Sequence, residues 1–531
     1  MSEAAFSEAR RPLQAACAAI VCAALAVFAW QTAGANLWLD ELFTLILVRA
    51  HSLPKLWAGI VTGIDGNPPL YLTLAWLLAH AVPTSVATSV ALKLANIAVT
   101  AAAILALYRV SRRFAAPLAA WSGTFLFAAL NDSVVFVALE LRTYALYFLC
   151  AALAVWLQQR LTEFGRTRDT ILLALVYAAL ALSHTFGIAH VGTIALAGML
   201  SAWPDRRWKL TILAACPAIV AFAAWMPFFA QQSAVGRPYI WFGPPDASAL
   251  LQGLFSSPIA MWIAIVELYG LASAALWLWR KRPALVLAMF RSARWQPQRY
   301  AALLVLGLSG FALTIWTVSV LWFPMFVPRY FTPQLIAGCL LHVAFADLVV
   351  AIARRRLTAG RPAFRVLMTL VPPLLLCAVL LSGDSARQQI ACADSTGLPF
   401  ERDFVHGDVP VVAESPHIFL PRATYAPRGE LYRFPLDWDV VMNYPDRTRG
   451  NATDFHIMRN LKAWARNTAI MSTDDIIRTL PRFLAIEHSS RAWFHNLRNT
   501  RDVVADRLAE VTSPSGGTCT LWNVTRVTAR P

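Results

Sequence analysis

Up to about residue 383 the polar positions of this chain are few and bunched. Between the bunches lie uninterrupted apolar runs, with neither the alternation of a half-buried strand nor the narrow stripe of a surface helix. Eleven runs, at about 12–33, 87–109, 115–134, 142–158, 170–185, 186–202, 210–230, 259–279, 300–322, 331–352 and 366–383, are long enough to cross a hydrocarbon core of ~30 Å as helices. Leu70 to Val82 is also apolar but short for a span, which suits a juxtamembrane or re-entrant helix. The stretch through Phe43, Leu45 and Leu47 predicts another interfacial helix in the same loop. After residue 383 the pattern changes. Val409–Glu414 and Phe483–Ile486 read as buried strands, and Thr453–Ala465 has a helical period at Phe455, Ile457, Met458, Leu461 and Trp464. The expected architecture is an α-helical polytopic membrane protein with about 11 transmembrane helices over residues 1–383 and juxtamembrane helices in its first external loop. A small soluble α/β domain follows over 384–531.

Composition agrees: 58% hydrophobic residues, 14% charged and a mean hydropathy of +0.53 do not suit a water-soluble globule. The net charge of +16 would suggest nucleic acid if the basic residues shared a face. They do not. From Asp384 onward there are 18 Lys and Arg against 17 Asp and Glu, leaving 28 against 13 of the chain's 46 and 30 in the apolar part. There they cluster between runs, at Arg10/Arg11, Arg109/Arg112/Arg113, Arg160/Arg166/Arg168, Arg206/Arg207/Lys209, Arg280/Lys281/Arg282 and Arg354/Arg355/Arg356. This is the positive-inside pattern, and it predicts an N-in, C-out topology with no nucleic-acid partner. Counting Leu70–Val82 as a span would put every later cluster outside. Residues 34–86, 135–141, 231–258, 323–330 and the tail are therefore expected on the outer face. Six of the eight cysteines lie in spans; Cys392 and Cys519 lie at opposite ends of the tail. In an oxidising compartment they can pair and tie the domain's ends together, the alternative being two separate buried thiols.

Carboxylates are scarce on the outer face: Asp40, Glu41, Asp65, Asp132, Glu140 and Asp246, with Glu267 deeper in a span. Ionisable groups near hydrocarbon are costly and are kept for a function or paired. Asp40 and Glu41 follow the first run directly; the structural alternative is that Asp40 caps a helix. Asp65-Gly-Asn67-Pro-Pro-Leu-Tyr71 combines a tight turn with a rigid proline entry to the next helix. Glu140-Leu-Arg142-Thr-Tyr144 offers a forked cationic donor, with Glu140 as its local alternative partner. Pro328-Arg329-Tyr330 stands where another helix turns back, while Lys93 and His184 lie near the outer ends of their spans. The ring-rich loop 235–245 could cover a ligand or be a passive interfacial loop.

In this order the motifs resemble the GT-C superfamily of polyprenyl-phosphate-sugar-dependent glycosyltransferases. The nearest branch is the one holding lipid A aminoarabinose transferase, the protein O-mannosyltransferases and the rhizobial lipopolysaccharide sugar transferases. The matching pieces are Asp40-Glu41, Asp65 to Tyr71, Glu140 to Tyr144, Ser183-His184 and Pro328-Arg329-Tyr330, spread over about 300 residues, and the tail lies outside them. Lys93 stands where many relatives have Arg, and Leu72 where a second aromatic often follows. The resemblance implies inverting transfer of a sugar from a lipid-phosphate donor to an envelope acceptor, at a bacterial inner membrane with the active site facing outward. Asp40 would be the general base and Glu41 its neighbour in the catalytic pair. Arg142, Arg329 and Lys93 would hold the donor phosphate. Asp65, Asn67, Tyr71, Glu140, Tyr144, His184 and Tyr330 are the further substrate or metal candidates. Relatives differ in metal use, so the cofactor stays open, a divalent cation included.

Three other classes remain in view. A lipid-linked-sugar flippase or transporter would carry its charges near the midplane and show paired broken helices in two halves. An enzyme resembling O-antigen ligase would place its catalytic groups in a late external loop. A non-enzymatic assembly protein gives no reason for the Asp-Glu pair and the basic residues to share a side.

Overall fold

The computed structural model describes residues 3–83, 87–203, 205–236, 243–284, 286, 292–356, 361–382, 390–443, 449–512 and 517–527. Most of the loop 235–245 lies outside them. The helices begin with α1 (Glu3–Ala33), α2 (Leu39–Val48), α3 (Leu53–Val61), α4 (Leu70–Ala81) and α5 (Thr88–Phe114). They continue as α6 (Pro117–Leu130), α7 (Asp132–Leu139), α8 (Tyr144–Phe164), α9 (Thr167–Ser183), α10 (Gly187–Ala202) and α11 (Trp208–Gly236). Then come α12 (Ala247–Phe255), α13 (Pro258–Lys281), α14 (Gln296–Leu321), α15 (Gln334–Arg356) and α16 (Arg361–Ser382).

Each of the eleven expected spans contains helix, and the chain is an integral membrane protein. Among the described residues, seven helices are long and apolar enough to cross a membrane, or eight if one bent pair counts as a single span. That pair corrects the expected span 115–134 and the loop expected to follow it. α6 ends at Leu130 and α7 leaves at 71°, so 132–139 is helical. Asn131 makes the break: its backbone is extended (φ −113°, ψ 101°), and its side-chain oxygen accepts the Ser133 N–H at 3.1 Å as the cap of α7.

The chain divides into two compact units. The first comprises Met1–Gly34, Asn67–Met226 and Pro244–Ala386. Its centre is α8, whose Ala145, Tyr147, Phe148, Ala151, Ala154 and Val155 are fully buried. Small residues let helices close up where lipid supplies no hydrophobic drive between them. Gly123 on α6 shows this against α15, for a Cβ there would stand 2.7 Å from the Val343 Cα. Buried polar groups pair across helices, because leaving them unpaired close to hydrocarbon is costly: the Tyr177 hydroxyl donates to Gln158 Oε1 at 2.9 Å and Gln158 Nε2 to Thr211 at 2.8 Å. Basic residues occupy the last turns of α5, α13 and α15, where the carbonyl ends of the helices favour positive charge.

The second unit comprises Ala35–Gly66, Pro227–Gly243 and Arg387–Pro531. Its later part runs β1 (Val411–Ala413), α17 (Pro416–Tyr425), β2 (Tyr432–Pro435), α18 (Trp438–Asn443), α19 (Arg449–Ala465), β3 (Ile470–Met471), α20 (Thr473–Thr479), β4 (Arg482–His488), α21 (Trp493–Thr500), β5 (Val503–Thr512) and β6 (Thr518–Arg526). The strands form one sheet, ordered β3-β2-β1-β4-β6-β5, parallel from β3 to β4 and closed by an antiparallel hairpin. Apolar side chains of β1, β4, β6, α20 and α21 pack together around Phe483, Phe494 and Trp493. Glu401 and Arg422, both buried, pair at 2.6 Å, and Tyr432 donates to the same carboxylate at 2.9 Å. A disulfide joins Cys392 to Cys519 across 127 residues. The segment 35–66 is built into this unit: Trp464 of α19 donates to the Lys55 carbonyl at 2.8 Å, and Tyr425 of α17 accepts the Leu37 N–H at 3.0 Å.

Candidate functional site

In the helical unit, three sequence-distant segments meet. The turn Glu140-Leu-Arg142, tightened by an Arg142 N–H bond to the Glu140 carbonyl at 2.8 Å, leads into α8 with Tyr144 on its first turn. His184 ends α9, and Arg329 and Tyr330 form a short 3₁₀ turn at Pro328–Phe331 before α15. Glu140 is buried with its carboxylate 3.9 Å from the Arg329 guanidinium. His184, fully buried, lies over Tyr147 at 4.7 Å and beside Tyr330 at 5.1 Å, while its Nδ1 accepts the Phe186 N–H at 3.2 Å. That bond leaves Nε2 to carry the ring proton if the imidazole is neutral. Arg142 and Arg329 both act electrostatically on Tyr144 and His184, which makes this a compact, mostly buried cationic and aromatic constellation.

α5 adds to it. Lys93 and Asn96 stand one turn apart on this helix and both are buried. Asn96 Nδ2 donates to the Glu140 carbonyl at 2.6 Å and reaches the Tyr71 hydroxyl at 3.4 Å. Asn96 therefore ties the Pro-Pro-Leu-Tyr segment to the Glu-x-Arg turn, a role no local signal announced. Half-buried guanidinium groups and a buried ammonium, with tyrosine hydroxyls in the same unit, are suited to hold a phosphate. A second buried pair lies elsewhere in the helical unit: His342 of α15 stands 3.4 Å from Glu267 of α13. Glu267 was visible as a carboxylate in a span; its partner, 75 residues later, carried no sequence signal.

Asp40, Glu41 and Asp65 belong to the second unit, and Asn67 begins a segment of the first. Glu41, fully buried, is the residue that caps α2: its Oε2 accepts the Trp38 N–H at 3.0 Å. Asp40, half-buried, lies on the first turn of α2, which packs against α17. His417, on the first turn of α17 with its side chain only about half covered, has its pKa lowered by desolvation from the protein around it, an effect opposed by Asp454 and by the Asp40 carboxylate and reinforced by Arg491. Asp65 is buried, and its carbonyl accepts Gln232 Nε2 at 3.0 Å. Among the described residues no group of three or more His, Cys, Asp or Glu is arranged to hold a metal ion.

No known sequence family matches this chain, nor does any curated protein sequence. Similarity appears in the fold. The apo structure of ArnT from Cupriavidus metallidurans aligns with a TM-score of 0.54 over 95% of this chain and 97% of its own, at 11% identity. The same protein bound to undecaprenyl phosphate aligns at 0.53, with equal coverage and identity. The archaeal oligosaccharyltransferase AglB from Archaeoglobus fulgidus, in complex with an inhibitory peptide and a dolichol-phosphate, aligns at 0.41 over 88% of this chain and 69% of its own, at 10% identity. The first two alignments span nearly the whole of both chains, tail included, so this chain has the ArnT fold.

Proposed function

We propose that the chain is a GT-C membrane glycosyltransferase that moves a sugar from a polyprenyl-phosphate donor to an envelope acceptor. The observation that carries the reading is the half-buried Arg142 and Arg329 gathered around buried Tyr144 and His184, in a chain sharing, over nearly its full length, the fold of a protein solved with undecaprenyl phosphate; buried Lys93, one turn from Asn96 on α5, is the third cation of the reading. Those cations would bind the donor phosphate and stabilise the charge that grows on it as the glycosidic bond breaks. Glu140 positions Arg329 through its carboxylate and, by its carbonyl, Asn96.

Asp40 is the general base of this scheme. It takes the proton of an acceptor hydroxyl as that oxygen bonds to the anomeric carbon; the bond from that carbon to the phosphate oxygen breaks, and its electron pair leaves with the polyprenyl phosphate. One carboxylate suffices for such an inverting displacement. Glu41 sets the geometry of the first turn of α2 and so aims Asp40. Asp65 is reserved for the acceptor or for a divalent cation. In this reading about eleven spans cross a bacterial inner membrane from an inside N-terminus, with the second unit outside.

The test compares envelope glycolipids by mass spectrometry in cells carrying the chain, lacking it, or carrying Asp40→Asn or Arg142→Ala. The expected result is one missing sugar and an accumulated sugar-phosphate lipid in all but the first, with transfer by Asp40→Asn reduced about 10²–10⁴-fold. Full transfer by well-expressed Asp40→Asn and Arg142→Ala proteins would overturn the assignment of roles.

A further inference from the structure

In open α/β sheets ligands bind in the crevice beyond the carboxyl ends of the parallel strands, where the strand order reverses. In the second unit that point lies between β1 and β4. The chain leaves β1 for β2 and β3 on one side, then returns to pair with β1 on the other as β4. Two loops frame the crevice, Glu414–Ser415 leading into α17 and Ser489–Ala492 leading into α21. Glu414 ties them together, its two carboxylate oxygens accepting the N–H groups of His488 at 2.7 Å and Phe494 at 2.9 Å.

Arg491 sits in the second loop with its side chain nine-tenths buried. Nη2 reaches Asp454 of α19 at 2.8 Å, but Nε and Nη1 have no hydrogen-bond partner among the described residues. A buried guanidinium with two donors unspent is costly and is a site awaiting an acceptor oxygen. His417 Nε2 lies 4.0 Å from the same Asp454 oxygen, and the Arg491 charge acts on Glu414, His417 and His488 alike. Asp40 lies on α2, which packs against α17, and its carboxylate acts on His417. The α/β fold thus gathers, within one unit, the expected general base and the two unspent donors of Arg491.

We propose that the β1/β4 crevice holds an oxyanion of the acceptor, a phosphate ester or a sugar carboxylate, on the Arg491 guanidinium with His417 beside it. A hydroxyl of the same molecule then reaches Asp40. This rests on the reading of Asp40 as the acceptor's base. Asp454 and Asp40 put negative charge around the crevice, which selects a single oxyanion over a polyanion. Arg491 is a specificity residue in this scheme, and it touches the acceptor away from the bond being made.

Binding tests it apart from transfer. The full-length protein in nanodiscs of zwitterionic lipid is titrated calorimetrically with inorganic phosphate, with glucuronate and with neutral glucose. Saturable binding of phosphate alone supports a phosphorylated acceptor, binding of glucuronate alone a carboxylated one, and glucose binds to neither extent. Arg491→Lys, which keeps the charge facing Asp454 but loses the fork, weakens binding about tenfold. Arg491→Gln abolishes glucuronate binding and removes the Arg491-dependent component of phosphate binding, leaving only the component that Arg142→Ala removes. Asp40→Asn binds the anion as the parent does while losing transfer; if it binds and also transfers normally, the general-base reading fails and the anion site stands. The proposal is overturned if neither anion binds, if glucose binds equally well, or if Arg491→Lys, folded by its melting curve, binds as the parent does.

Discussion

Asp40 and Glu41 are neighbours in sequence, and the fold gives them different work. Glu41 is fully buried against the Trp38 N–H, whereas Asp40 is half-buried beside α17. Glu41→Ala is therefore expected to lower the thermal midpoint, by the loss of a cap costing about 0.5–2 kcal/mol, while Asp40→Asn leaves it nearly unchanged. Melting curves of the purified variants decide this. Glu414 supplies a pH signature outside the membrane helices. Burial pushes its carboxyl from the ordinary 4.5 up to about 8, against the pull of two backbone N–H groups. A carboxyl raised in the folded state holds a proton that the unfolded chain has already released. Its contribution to stability is complete below pH ~4.5 and is lost as pH rises toward 8. The midpoint of the second unit should fall across that window, and Glu414→Gln should flatten the slope.

Between elements, close approach is what the helical unit depends on. A methyl at Gly123 would stand 2.7 Å from the Val343 backbone, so Gly123→Ala must push α6 and α15 apart. Gly310 on α14 has nothing within 4 Å of the same added atom. The expected outcome is a loss of about 1–3 kcal/mol for Gly123→Ala and little change for Gly310→Ala, read as paired thermal shifts in one detergent. The break at Asn131 is a decision of the same scale. The apolar runs on either side are parted only by Asn131-Asp132-Ser133, and it is there that the cap of α7 forms and the chain turns by 71°.

At the scale of the molecule, the disulfide between Cys392 and Cys519 closes a loop of 127 residues. By loop-closure entropy its reduction removes several kcal/mol, roughly 4–5, so the second unit should melt earlier in reductant and the Cys392→Ser/Cys519→Ser double variant should match it. The proposed topology is tested on intact cells with a membrane-impermeant thiol reagent. A cysteine at Leu508 is expected to react and one at Arg168 to be protected; the reverse would invert the chain. Hydropathy and charge, which act over neighbouring residues, were enough to mark the helices, the basic clusters at their ends, the short helices after α1 and the α/β character of the tail. The family-like motifs were legible for the same reason, as short runs with their own chemistry. Pairing across distance was not. Glu140 with Arg329, Asn96 with the Glu140 turn, Glu267 with His342, the strand order that lays β4 beside β1, and the inclusion of 35–66 with the tail join residues tens to hundreds of positions apart. Local pattern carries which face of an element is apolar, whereas which element meets that face is settled only when packing of the whole chain selects one arrangement.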